Sequence, residues 1–225
     1  MDNTIYLILF KDLFLYNCFV IQNNVKGFCI MIVLSDIASV KNGLSISRKR
    51  ADENFEHSFF YKQISLRCFD SGVKLNLDGL DAFYATEEID SRYITSHEDI
   101  VIRLRTPINA VYIEKGSEGL LVSSLLAIIR VDKNLIYSKY LAYYLNSLFV
   151  KRKFHNLTKG TTIPMLKIQD IKDLQIVLPD IEKQKRIVEF MESADREIDL
   201  LEDIITEKKK FSQAILDKII DKEIF

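Results

Sequence analysis

Residues 174–205, LQIVLPDIEKQKRIVEFMESADREIDLLEDII, decide the architecture of this chain. The opening LQIVLP reads as a short strand, and Pro179 ends it because proline cannot donate to a sheet ladder. From Asp180 to Asp221 there is no Gly and no Pro. A helix over that stretch would be about 63 Å long and could not fold back into a domain this small. Ile187, Met191, Ala194, Ile198, Leu201 and Ile205 are spaced 4-3-4-3-4, a heptad seam that seeks another helix. Lys208 breaks the seam, and Phe211, Ile215 and Ile219 resume an apolar stripe. The plainer alternative is one amphipathic helix lying on its own domain.

Upstream of this stretch stands LTKGTTIPMLKI, residues 157–168, a polar loop with a glycine hinge in a chain of only seven glycines and three prolines. A short helical turn is expected near Lys167–Lys172. Further back, FFYKQISL and DIVIRLRT alternate as strands do; Ile100, Ile102 and Leu104 face one way, and Val101, Arg103 and Arg105 the other. GLLVSSLLAIIRV is a continuous apolar run, read as one buried strand or a pair. SKYLAYYLNSLFVKRK, residues 138–153, has helical spacing, with Ser138 as its cap and Lys151, Arg152 and Lys153 at its negative pole. VLSDIASV reads as a short helix capped by Ser35, and NGLSISRKR as a turn followed by a basic loop.

Composition narrows the chemistry. The chain is 48% hydrophobic and 28% charged, as a folded soluble protein is. Cys18, Cys29 and Cys68 make no CxxC pair, and with His57, His97 and His155 scattered no zinc site is expected. A reducing, cytoplasmic setting fits. Residues 1–178 carry a net charge of +3 and residues 179–225 a net of −4, so the first part permits nucleic-acid binding without requiring it. IYLILFKDLFLYNCFVI is interrupted by Lys11 and Asp12, against a spanning helix. It also lacks the basic start and small-residue cleavage site of a signal peptide. Residues 1–30 are therefore expected to be an N-terminal extension, with the compact domain beginning near Met31. No G-x-G or Walker sequence is present, so neither a nucleotide nor a methyl-donor site is expected. Asp170-Ile171-Lys172 lacks the upstream acid a metal-dependent nuclease needs, and His97-Glu98 reads as a solvated turn. No catalytic residue, metal or cofactor is expected.

The order of these features resembles one family. VLSDIASVKNGLS, SHEDIVIRLRTP and GLLVSSLLAIIRV with its following YLAYYLNS are similar to successive segments of a target-recognition domain. TKGTTIPMLKIQDIKDLQIVLPDIEKQKRIVEFMESAD is the most specific part. It resembles the Gly-Thr loop, short helix, strand and long helix of the specificity subunits of type I restriction–modification enzymes. Lys183 departs from the pattern, standing where the family carries Glu before Gln184. A full specificity subunit has two recognition domains and two long helices, so this chain resembles half of one.

The resemblance implies an α+β fold, with a mixed DNA target-recognition domain over 31–178 and a long coiled-coil helix over 179–225. It implies a non-catalytic subunit that binds double-stranded DNA and docks methyltransferase and restriction subunits. Its helix would pair in a homodimer or with another specificity subunit. The loop of Lys159, Gly160, Thr161 and Thr162 would lie near the DNA, offering a charge, a tight turn and two hydroxyls. Arg48, Lys49 and Arg50 form the best basic patch for phosphate or guanine. Arg103 and Arg105 are a second pair of contacts, or else partners of Glu98 or Glu114. A rival expectation is an assembly protein that lends its helix to a complete specificity subunit without reading DNA.

Overall fold

The computed structural model of the chain describes residues 30–46, 49–51, 59–70, 72–159 and 164–224. The chain divides into two compact units, residues 1–185 and 186–225. Most of the expected N-terminal extension lies outside the described residues, as do Cys18 and Cys29. Cys68 is a buried core residue.

In the first unit β1 (Ile30–Val33) pairs antiparallel with β9 (Gln175–Leu178), closing the unit between its two ends. A four-stranded antiparallel sheet has the order β2-β8-β5-β6, from Ala38–Asn42, Leu126–Val131, Ile100–Arg103 and Ala110–Tyr112. A three-stranded sheet has the order β4-β3-β7, from Asp81–Ala85, Phe59–Ile64 and Leu121–Val122, with β3 and β7 parallel. The alternation expected along β5 does not separate an inner from an outer face. Ile100, Val101 and Ile102 are all fully buried, as in a strand covered on both sides. Val101, Val111, Leu126 and Ile128 pack with Ile64 and Val122, so one core joins the two sheets.

GLLVSSLLAIIRV is a pair of strands, β7 and β8, and the two belong to different sheets. The turn between them closes where Leu126 N–H donates to the Ser123 carbonyl at 2.9 Å. VLSDIASV is not a helix. β1 runs to Val33, a 3-10 turn covers Leu34–Asp36, and β2 starts at Ala38. Tertiary pairing overrides the local pattern: Leu34 N–H donates to Leu174 O, and Asp132 N–H donates to Ile37 O. Val33, not Ser35, sits at the cap position.

The Tyr-rich segment is two helices, α1 (Ser138–Asn146) and α2 (Leu148–Thr158). Ser147 is extended between them, and its hydroxyl accepts from Val150 N–H at 3.4 Å as the cap of α2. Ser138 is thus the first residue of α1 rather than its cap, and Lys151, Arg152 and Lys153 lie within α2 rather than at a helix end. Tyr140 Oη donates to the Val177 carbonyl at 2.8 Å, tying α1 to β9. The expected short turn is α3 (Ile168–Lys172), where the Asp170 carboxylate accepts from Lys167 N–H at 3.0 Å.

The long helix α4 spans Ile181–Ile224, 44 residues. Asp180 caps it by accepting from Lys183 N–H at 2.8 Å. The cap needs only the backbone of Lys183, so the departure from the family pattern leaves it intact. Gln184 is fully buried. Its Oε1 accepts from Tyr137 N–H and its Nε2 donates to Pro179 O, both at 2.8 Å. In the second unit Ile187, Met191 and Ala194 are half-buried, whereas Ile198, Leu201 and Ile205 are 53%, 51% and 52% exposed.

Candidate nucleic-acid interface

Of the nine residues expected at DNA, the five that are described, Lys49, Arg50, Arg103, Arg105 and Lys159, lie on different elements of the first unit. Arg48, Gly160, Thr161 and Thr162 lie outside the described residues. Lys49 and Arg50 extend the three-stranded sheet along β4. Ala51 N–H donates to Tyr84 O at 2.8 Å and Thr86 N–H to Lys49 O at 3.0 Å, with Arg50 opposite Ala85. Strand alternation then sends neighbouring side chains to opposite faces. The Arg50 guanidinium lies 5.6 Å from the centre of the Phe83 ring, a cation–π contact that leaves its charge exposed. Lys49 Nζ turns the other way, to Glu87 Oε1 at 2.6 Å. The basic run is therefore partly neutralised by the chain itself.

Arg103 and Arg105 stand at the end of β5. There they lie beside Met165 and Leu166: Leu166 N–H donates to Leu104 O at 2.8 Å, and Arg105 bridges Met165. One flank of the glycine loop is thus fixed to the strand end. The other flank is Lys159, exposed at the C-cap of α2. Arg103 Nη2 donates to Thr106 O at 3.2 Å, and its Nε is buried without a partner. The alternative partners for these arginines are taken, Glu98 by Lys133 and Glu114 by Lys139. Arg105 is exposed and has no ion pair among the described residues. Its charge is available to an anion. On α2 burial holds the Lys151 amine below its ordinary range, and Arg152 is exposed.

Three polar groups that tie the first unit together were not read from the sequence. Asp99 is buried and takes Arg130 Nε at 3.0 Å, while Arg130 Nη2 also donates to Ile94 O at 2.8 Å. Asn146 Oδ1 accepts from Ala110 N–H at 2.9 Å, and its Nδ2 donates to Ala110 O at 2.7 Å. Gln184 is the third. Each joins residues far apart in sequence, and the residue types alone carry no signal for the pairing. Among the described residues no helix is long and apolar enough to cross a membrane.

The arrangement is a basic strand end on a small mixed domain, followed by a helix with an exposed apolar seam. Residues 31–209 match the family described as type I restriction modification DNA specificity domain. The chain belongs to that family. The match runs through both the mixed fold and much of α4. Of curated relatives, the type I restriction enzyme MjaVIII specificity subunit of Methanocaldococcus jannaschii is 28% identical over 139 residues, covering 61% of this chain and 32% of the relative. The HsdS subunit from Thermoanaerobacter tengcongensis has the same fold, with a TM-score of 0.61 at 18% identity over 83% of this chain and 47% of that one. A chain from a type I R-M system solved for its complex assembly and conformational transition gives a TM-score of 0.62 at 20% identity, over 87% and 46%. The specificity-family chain described here thus spans about a third of the length of that curated relative and under half of each solved chain.

Proposed function

We propose that this chain is a half-length specificity subunit that reads double-stranded DNA and does so as a homodimer. Residues 31–178 act as the recognition domain, and α4 pairs with a second long helix, from another copy or from another specificity subunit. The assembly docks a methyltransferase subunit and a restriction subunit, which supply the chemistry; the chain itself carries none. Its place is the cytoplasm, with its DNA. The observation that carries this reading is the family match across both the recognition fold and the helix, residues 31–209. Two identical recognition domains related by a two-fold axis read the same bases on opposite strands. The target is then an interrupted palindrome.

The test is the methylated motif of the host genome, with and without this gene, combined with DNA binding by the methyltransferase complex. Two inverted identical half-sites are expected. An asymmetric motif that depends on this chain alone would refute the symmetric reading. A second reading makes the chain an assembly protein that lends α4 to a complete specificity subunit. The ion pair that ties Lys49 to Glu87 favours it, since that charge is already spent. Helix exchange with a complete subunit, in the absence of specific DNA binding, would decide for it.

A further inference from the structure

The helix α2 turns a face of unusual character to solvent. Val150, Phe154 and Thr158 are buried and hold it to the first unit. Phe149, Arg152 and Asn156, spaced i, i+3 and i+7, line the opposite face, and all three are exposed. Leu148 and Phe149 are 63% and 60% exposed. The helix carries Lys151, Arg152, Lys153 and His155 but no acidic residue, in a chain with 32 acidic and 31 basic side chains. None of its cations has an ion pair among the described residues. A helix face kept only for solvation mixes both signs, as α4 does where Lys185 meets Glu182 and Lys210 meets Glu207. An all-cationic face with large apolar side chains at one end fits a polyanion that also offers flat or methyl-bearing surfaces.

Both ends of α2 return to the strand end that carries Arg103 and Arg105. Just before α2, Asn146 bonds both polar groups of Ala110 on β6, which pairs with Ile102 on β5. Seven residues after Lys159, Leu166 N–H donates to Leu104 O. The exposed face of α2 therefore belongs to the same part of the unit as Arg105, whose charge is unpaired among the described residues. We propose that α2 is a recognition helix, laid in the major groove of a half-site with Phe149, Arg152 and Asn156 on base edges. Lys153 and Lys159 then meet the flanking phosphates.

The dimensions and the side chains agree with that groove. It is about 12 Å wide and admits one α-helix, and the rise from Leu148 to Asn156 is about 12 Å. Arginine forks onto O6 and N7 of guanine, asparagine onto N6 and N7 of adenine, and an aromatic ring packs on the thymine methyl. Arg152 and Asn156 are separated by about 6 Å along the helix axis, close to two base-pair steps of about 3.4 Å. Each half-site then contains a guanine read by Arg152 and an adenine read by Asn156, about two steps apart.

The recognition helix deepens the DNA reading proposed above and rests on it, and the test separates their failures. The full chain with its methyltransferase subunit is titrated onto a duplex bearing the methylated motif that depends on this gene, and onto duplexes with each base pair changed in turn. Arg152→Ala and Asn156→Ala should each weaken binding to the intact motif by about tenfold to a hundredfold. Each should also make binding indifferent to one base pair of the half-site, a different one for each variant. Tm should not move, because both side chains are exposed. Equal losses on every duplex would put α2 on phosphates alone. That outcome, or unaltered binding by both variants, overturns the recognition helix and leaves DNA reading standing. The variant L148S/F149S should still assemble with the methyltransferase subunit; its failure to assemble gives this face to a protein partner and overturns the inference. An unsubstituted complex with no preference for the motif overturns the DNA reading and the recognition helix together.

Discussion

The two units leave opposite kinds of group exposed. In residues 30–185 most polar groups that the fold buries are matched, Gln63 Oε1 and Arg103 Nε being the exceptions among the described residues: Asp99 is matched by Arg130, Gln184 by three backbone groups, Asn146 by the two polar groups of Ala110. In residues 186–220 the mismatch is apolar. Leu200, Ile204 and Phe211 are 63%, 53% and 67% exposed beside the seam itself. A buried unpaired polar group and an exposed apolar stripe are both costly. The first unit settles most of its cost internally, and in the proposed dimer the second settles its cost on another molecule.

The largest effect that would break this contrast is at the seam. Ile198→Asp with Leu201→Asp removes two large side chains from each helix, each worth roughly 1.5–3 kcal/mol on burial. Dimer affinity should fall by more than about a thousandfold, with thermal unfolding of the first unit unchanged. Sedimentation and calorimetry on the same variant check both halves. An unaltered dimer would mean that the stripe is not the interface.

Next is the buried pair in the first unit. Arg130→Ala leaves Asp99 charged and buried, which should cost about 3 kcal/mol and lower Tm by roughly 6–12 °C. The dimer should persist. At the proposed DNA face, Arg105→Ala should lower the slope of log K against log salt by about 0.9, the loss of one phosphate contact. The triple variant R48A/K49A/R50A should lower it by less than the roughly 2.7 that three free cations would give, because Lys49 already serves Glu87. A full loss would show that the Lys49–Glu87 pair opens on DNA.

The smallest effect is a titration. Burial, then the Glu98 charge, pushes the Tyr112 phenol up to about 12. The unfolded chain releases that proton near the ordinary value of about 10, and the folded chain keeps it. Stability from this group is therefore complete below about pH 10 and is lost as pH rises toward 12. Tyr112→Phe should flatten that loss in unfolding curves measured from pH 9 to pH 12.

The sequence reveals regular, local features and hides those that depend on distant partners. The helix α4 is legible because nothing in residues 180–221 can stop it, and β3, β5 and β9 because short apolar runs end at clear breakers. The segment VLSDIASV fits helix and strand spacing equally; pairing with β9 and β8 decides it, and those partners lie about 90 to 140 residues away. The break at Ser147 hides because Asn-Ser inside a helical pattern is a weak cap signal beside strong apolar spacing. At the candidate site, basic side chains are visible as a list. Which of them are free is not, because Glu87 and Met165 reach Lys49 and Arg105 only through the sheets.

Asn146 has a further consequence. Ala110 and Tyr112 turn their N–H groups away from β5, toward the open side of β6. Asn146 accepts from the first, and the Val73 carbonyl accepts from the second at 2.8 Å. An open sheet margin invites a foreign strand and is a common start of aggregation. Here a side-chain amide occupies the place such a strand would take, donating and accepting as a backbone would. Asn146→Ala would reopen that margin with little change in the buried core, turning the chain toward strand-by-strand stacking.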